Sequence, residues 1–322
     1  MHGGLASVLA LVLFAASCAV RPPAQAPEIP AEPIVWPKPP AESRIRYVRS
    51  ISGPHDLGIE KSFLGRLAET LFGRTEEYLI RPTGVAERNG VLYVADPGAQ
   101  ALWIFDPANQ QVVKVSQVGG TALASPVAVA AAPDGAVFVA DSWLKKVFLL
   151  DREGKLLQTV VEDGLDRPVG LAYNETIARL YVADSAGHRI AVYRGDGTRV
   201  LTWGSRGSGD GEFNRPTHLA LDRSGTLLVT DALNFRIQAF DQEGRFLWKM
   251  GHHGDGSGDF AAPKGVAEDS LGHLYVVDAL FDTVQIFERN GTFLLSFGER
   301  GVQPGQFWLP GGIFISRQDR IY

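Results

Sequence analysis

A single cysteine, Cys18, is the whole thiol inventory of this 322-residue chain. An internal disulfide framework is therefore excluded, and any folded domain must be held by packing. Long hydrophobic runs are scarce as well: the longest, Leu5 to Ser17, is too short to span a bilayer. A positive surplus is missing, with 31 Lys and Arg against 36 Asp and Glu, which argues against a polyanion such as RNA as the partner. No G-x-S-x-G, H-E-x-x-H or phosphate-loop pattern occurs, so the commonest hydrolase, zinc-protease and nucleotide signatures are lacking. Glycine, by contrast, is plentiful at 36 residues, as a turn-dense all-β chain requires.

The glycines punctuate a repeat. In the stretch from Arg215 to Gly251, four short runs rich in β-branched, aromatic and aliphatic residues alternate with turn-forming clusters, which predicts a four-stranded antiparallel meander. The expected strands are Thr217 to Leu221, Thr226 to Thr230, Arg236 to Phe240 and Arg245 to Met250. The unit recurs. Strand-opening prolines fall at Pro82, Pro126, Pro168, Pro216, Pro263 and Pro310, spaced by 44, 42, 48, 47 and 47 residues. Strand-ending aspartates keep the same period at Asp96, Asp141, Asp184, Asp231 and Asp278, and a turn glycine does so at Gly154, Gly197, Gly244 and Gly291. No unit shows a 3.6-residue apolar period, so helical repeats are excluded. Four strands in each period of about 45 residues is the pattern of a β-propeller.

The markers RPTGVA, LYVAD, RIQAF and GRFLW resemble those of the NHL-repeat propellers over residues 81 to 322. The resemblance implies an all-β, six-bladed β-propeller of four-stranded antiparallel blades. The strand-like segment RIRYVRSI, residues 44 to 51, is expected to close the last blade by pairing with residues 320 to 322 or their continuation, because shared blades remove open sheet edges. Ser62 to Phe72 places Phe63, Leu64, Leu67, Leu71 and Phe72 on one helical face, predicting a short helix before the first blade. The last repeat reaches Tyr322 before its aspartate position, which points to C-terminal truncation or, as the alternative, to a last blade of two C-terminal strands plus RIRYVRSI.

Residues 1 to 17 form an uncharged apolar run ending in small residues, the pattern of a secretory signal. Ala15-Ala16-Ser17-Cys18 resembles the lipobox of bacterial lipoproteins, differing in Ala15 where Leu is usual and in an n-region without Lys or Arg. The resemblance implies acylation of Cys18 and, with Ala19 next, an outer-membrane anchor in a two-membrane bacterium. Residues 18 to 43 then carry eight prolines between positions 19 and 43 and are expected to form a stiff spacer of polyproline type, reaching up to roughly 75 Å. Residues 44 to 322 are the propeller.

Function has to lie in what breaks the repeat. The aspartates recur in every complete blade and are expected to be turn caps accepting backbone N–H bonds. The third position of each inner strand, counted from its proline, reads Gly84, Ala128, Gly170, His218, Gly265 and Gly312; His218 is the exception, at the rim of the central channel. The loops after the aspartates carry Trp143, Leu144, Leu233, Phe235, Leu280 and Phe281, a candidate apolar binding face. Peptidyl-amidoglycolate lyases resemble this architecture, and that resemblance implies zinc held by several channel histidines; here one of six matching positions is His. Asp255-Gly-Ser-Gly-Asp259 looks like a calcium loop, but Phe260 and Val266 stand where its glycine and bidentate glutamate belong. The register of Phe213, Phe260 and Phe307 instead predicts plugs between blades.

Two readings follow. One is a lipid-anchored binding or scaffold module for a protein or small ligand, attached to the membrane through Cys18, needing no cofactor and no nucleic acid. The other is a secreted propeller enzyme of lyase or lactonase type with a metal in the channel. The candidate site is His218, Trp143, Leu144, Phe235 and Phe281.

Overall fold

Five meanders of four antiparallel strands follow one another along the chain in a computed structural model that describes residues 32–60 and 78–322. Blade 1 comprises Gly84–Arg88, Val91–Asp96, Ala101–Asp106 and Gln111–Val115; blade 2, Pro126–Ala131, Val137–Asp141, Lys146–Leu150 and Leu156–Val161. Blade 3 comprises Pro168–Asn174, Arg179–Asp184, Arg189–Arg194 and Arg199–Trp203. Blade 4 comprises Pro216–Leu221, Leu227–Asp231, Arg236–Phe240 and Phe246–Met250; blade 5, Pro263–Glu268, Leu274–Asp278, Thr283–Phe287 and Phe293–Phe297. In each, sequence order is spatial order, so every connection within a blade is a hairpin.

A blade buries both faces of its sheet against its neighbours. Clusters of buried aliphatic and aromatic residues lie between blades 1 and 2, 2 and 3, 3 and 4, and 4 and 5. This explains why the second strands, VLYVAD and its equivalents, are apolar throughout instead of alternating. The predicted plugs are present: Phe213 and Phe260 are fully buried, and each, like Phe307, makes a parallel bridge back to its own connection, at Arg206, His253 and Arg300. Gly251 shows what this demands. A Cβ there would lie 2.3 Å from the Phe260 ring, and its φ is +94°, so glycine alone suits both the contact and the left-handed backbone.

The six-bladed expectation is corrected to five four-stranded blades. The sixth repeat supplies only an Ile315–Ile321 bridge among the described residues, flanked by reciprocal Phe314–Tyr322 hydrogen bonds. Its first segment still takes its place in the ring. Gly265 donates to the Gly311 carbonyl at 3.0 Å, and a Cβ on Gly312 would meet the Thr83 carbonyl at 2.5 Å, so residues 311–312 sit between the inner strands of blades 5 and 1.

The predicted pairing of RIRYVRSI with residues 320 to 322 is likewise corrected. Ile45–Arg46 pairs with Val35–Trp36, within the segment expected to be an unpacked spacer. The apolar run Ile34-Val35-Trp36 lies between prolines that flank it without interrupting it, and its burial outweighs the extended preference of the surrounding chain. Trp36 packs on Phe297 with centroids 5.7 Å apart, and Trp36 and Ile45 join Ile313, Ile315 and Ile321 in the cluster over blade 5. Ile51, Leu57 and Tyr322 similarly cover blade 1. The two ends thus meet through side chains, not through a shared ladder. Pro33–Tyr322 form one compact unit. Cys18, the signal segment and the helix predicted at residues 62 to 72 lie outside the described residues.

Candidate functional site

Alternation of strand direction puts the loop after each second strand, and each connection between blades, on one face of the ring; the other two hairpin turns of every blade lie on the opposite, lower face. The upper face is built around the repeated aspartates. Asp96, Asp141, Asp184, Asp231 and Asp278 are all fully buried. Asp278 accepts from the backbone N–H groups of Ala261 and Ala262 before the blade proline and of Leu280 and Phe281 in the following loop, at 2.7 to 3.3 Å. Asp141 does the same for Ala124, Ser125, Trp143 and Leu144. Asp184 and Asp231 add a guanidinium, from Arg189 and Arg236, each at 2.9 Å. One buried carboxylate therefore ties the start of the inner strand to the loop beside it, the structural role expected for it.

Those loops share a strained shape. Their last residue, Gln100, Lys145, His188, Phe235 or Asp282, has φ between 49° and 60°, in the left-handed region that non-glycine residues seldom occupy. Aspartate bonds and positive φ together hold the loop rigid, so the side chains it presents are held in place. Trp143 is 78% exposed and Leu280 64%, and Leu233 is exposed with them. Leu144, Phe235 and Phe281 are half-buried; Leu144 packs onto the core between blades 1 and 2, and Phe235 onto that between blades 4 and 5. The six loop residues thus divide into an exposed set and a supporting set. Reading the loops alone missed Trp308, 59% exposed on the same face, with Arg300 stacked over its ring at 4.6 Å. Ile80 and Leu309 are exposed there too. All three precede a blade proline, a position the loop comparison did not read.

The inner strands converge as the repeat alignment requires. Gly84, Ala128, Gly170, His218, Gly265 and Gly312, the third position of six repeats, line one lumen of about 50 Å³. Small residues recur because each inner strand touches the next: a Cβ on Gly170 would stand 2.1 Å from the Thr217 carbonyl. His218 alone projects a ring there, with Nδ1 3.2 Å from Thr217 Oγ1. The lumen admits water to the ring but protein encloses it on every side. Burial, and secondarily the Lys264 ammonium, push its imidazolium down to about 4, so it is neutral at physiological pH. The volume suits a few waters or one small ion, well short of a ligand cleft.

Catalytic zinc needs about three protein ligands. The lumen offers one imidazole beside an ammonium, and no group of three His, Cys, Asp or Glu side chains among the described residues is placed to hold a metal. The residues do not fit a channel zinc. Nor does the 255–259 loop fit calcium: Asp259 is engaged by the Gly256 N–H at 3.0 Å and by His252 Nε2 at 2.7 Å.

Solved structures share this arrangement. The chain is a β-propeller. Virginiamycin B lyase from Staphylococcus aureus is 15% identical, with a TM-score of 0.56 over 72% of this chain and 73% of the lyase. A streptogramin B lyase is 15% identical, with a TM-score of 0.57 over 75% and 81%. A chain of the nidogen/laminin complex is 19% identical, with a TM-score of 0.54 over 76% and 86%. At such identities the likeness concerns the fold alone, and it spans enzymes and a protein-binding protein. Comparison with protein-family models finds no match, and comparison with curated sequences finds none.

Proposed function

We propose that this chain is an NHL-type propeller lipoprotein that acts as a binding module at the cell envelope, offering its upper face to a protein partner. One observation carries the reading: Trp143, Leu233, Leu280 and Trp308 are exposed together on loops and connections of that face, several of them held by buried aspartates. Exposed aromatic side chains on a rigid frame are what protein interfaces use as anchors, since little entropy is lost when they are covered. Anchoring rests on Cys18 and its resemblance to a lipobox, and the outer membrane on Ala19 after it. The lyase reading draws on the fold shared with two lyases, but the lumen gives it one neutral imidazole and little space.

The test is capture of envelope proteins by the wild type and by Trp143→Ala/Leu280→Ala. The double variant is expected to lose a partner by tenfold or more while its melting temperature stays within about 2 °C, because exposed side chains contribute little to stability. Undiminished capture would remove the face. In fractionated cells, Cys18→Ser is expected in the soluble fraction with wild type in the membrane; equal solubility would remove the anchor.

A further inference from the structure

The upper mouth of the channel carries cations without carboxylate partners, whereas ion pairs span the lower mouth. Reading the residue before each blade proline round the ring gives Arg81, Ser125, Arg167, Arg215, Ala262 and Leu309. These positions begin the inner strands, so the three arginines stand where the lumen opens. Arg81, Arg167 and Arg215 are exposed, and their backbone N–H groups donate to Asp96, Asp184 and His188; no carboxylate among the described residues pairs with their guanidinium groups. Lys264 enters the same ring from blade 5, near enough to disfavour charge on His218, and is equally without a carboxylate. The aspartates beneath do not cancel this charge at the surface, being buried under backbone donors and, at Asp184 and Asp231, under Arg189 and Arg236.

At the lower mouth ion pairs bridge the opening, with the exposed Arg317 near Glu175. Arg88, ending the inner strand of blade 1, grips Glu175 of blade 3 at 2.8 and 3.0 Å, and Arg223 of blade 4 reaches Asp319 of the sixth repeat at 3.5 Å. Each pair passes over the blade between, so together they cross the lower opening. The Arg88 hydrogen bond holds Glu175 below the usual carboxylate range.

We propose that the upper mouth receives an acidic protein segment, whose carboxylates bind Arg81, Arg167, Arg215 and Lys264 while its apolar side chains pack on Trp143 and Leu280. This rests on the binding-face reading and adds the partner's chemistry. Unpaired cations beside exposed apolar groups complement carboxylates beside apolar groups, and set orientation and on-rate. An RNA strand fits worse. A phosphate backbone follows an extended basic track, whereas the loops and connections outside the mouth mix Lys145 and Arg206 with Asp163, Asp210 and Asp255.

The experiment is fluorescence anisotropy with the detergent-solubilised full chain, using labelled hexaglutamate and labelled decauridine as probes. Saturable hexaglutamate binding is expected, weakened tenfold or more in Arg167→Glu/Arg215→Glu, unchanged in Lys155→Glu on the lower face, and lost near about 0.5 M salt. Absence of saturable binding, an equal loss in Lys155→Glu, or tighter decauridine binding with the same dependence would each overturn the proposal. It separates from the reading beneath it: a partner lost in Trp143→Ala/Leu280→Ala but retained in Arg167→Glu/Arg215→Glu keeps the face and removes the charge chemistry, whereas a partner kept by both removes the face.

Discussion

At the residue scale, two chemically alike features are put to opposite uses. The five repeated aspartates look like a row of catalytic acids, yet each is saturated by backbone or arginine donors and serves as a joint. His218 looks like a lone substitution, yet it is the side chain that enters the shared lumen. Its titration makes a prediction. The folded-state value near 4 lies below the ordinary 6.5, so as pH falls the unfolded chain takes the proton first. Stability from this source is therefore complete above about pH 6.5 and lost as pH falls towards 4, by up to about 3 kcal/mol at roughly 1.4 kcal/mol per pH unit. Urea midpoints of wild type and His218→Gln, compared from pH 7 to 4.5, should show the steeper decline in wild type; parallel curves would mean that the ring is not enclosed.

At the element scale, the strands were legible because the period repeats six times. Blade 4 was expected to place its second and fourth strands at Thr226 to Thr230 and Arg245 to Met250, and they form at Leu227–Asp231 and Phe246–Met250. The N-terminal pairing was not legible, since strands two residues long leave no periodicity to read and prolines surround them. The candidate site was half legible. Trp143 stood out as a break in the loop pattern, but Trp308 and the three mouth arginines sit just before the prolines, in a position taken only as a spacing marker. The plugs provide the element-scale prediction. Gly251→Ala forces a methyl into the Phe260 ring from a left-handed backbone and should cost about 1–3 kcal/mol. A urea midpoint equal to wild type would show that the ring is not seated against that glycine.

For the whole molecule, a ring of five complete blades, finished by the sixth repeat and by the segment around Trp36 and Ile45, combines a rigid frame with two unlike faces. The lower mouth is crossed by ion pairs between blades that are not neighbours. The upper face carries exposed aromatics, buried aspartates under its loops and a mouth of unpaired cations. Binding on that face, with no chemistry in the channel, is the central claim. The most direct measurement is site-specific photo-crosslinking in intact cells, with the photoreactive residue at position 143 on the upper face or at position 271 on the lower, where Leu271 is 79% exposed. A discrete adduct from position 143 and none from position 271 is the predicted result; equal adducts from both, or an adduct from position 271 alone, would contradict it.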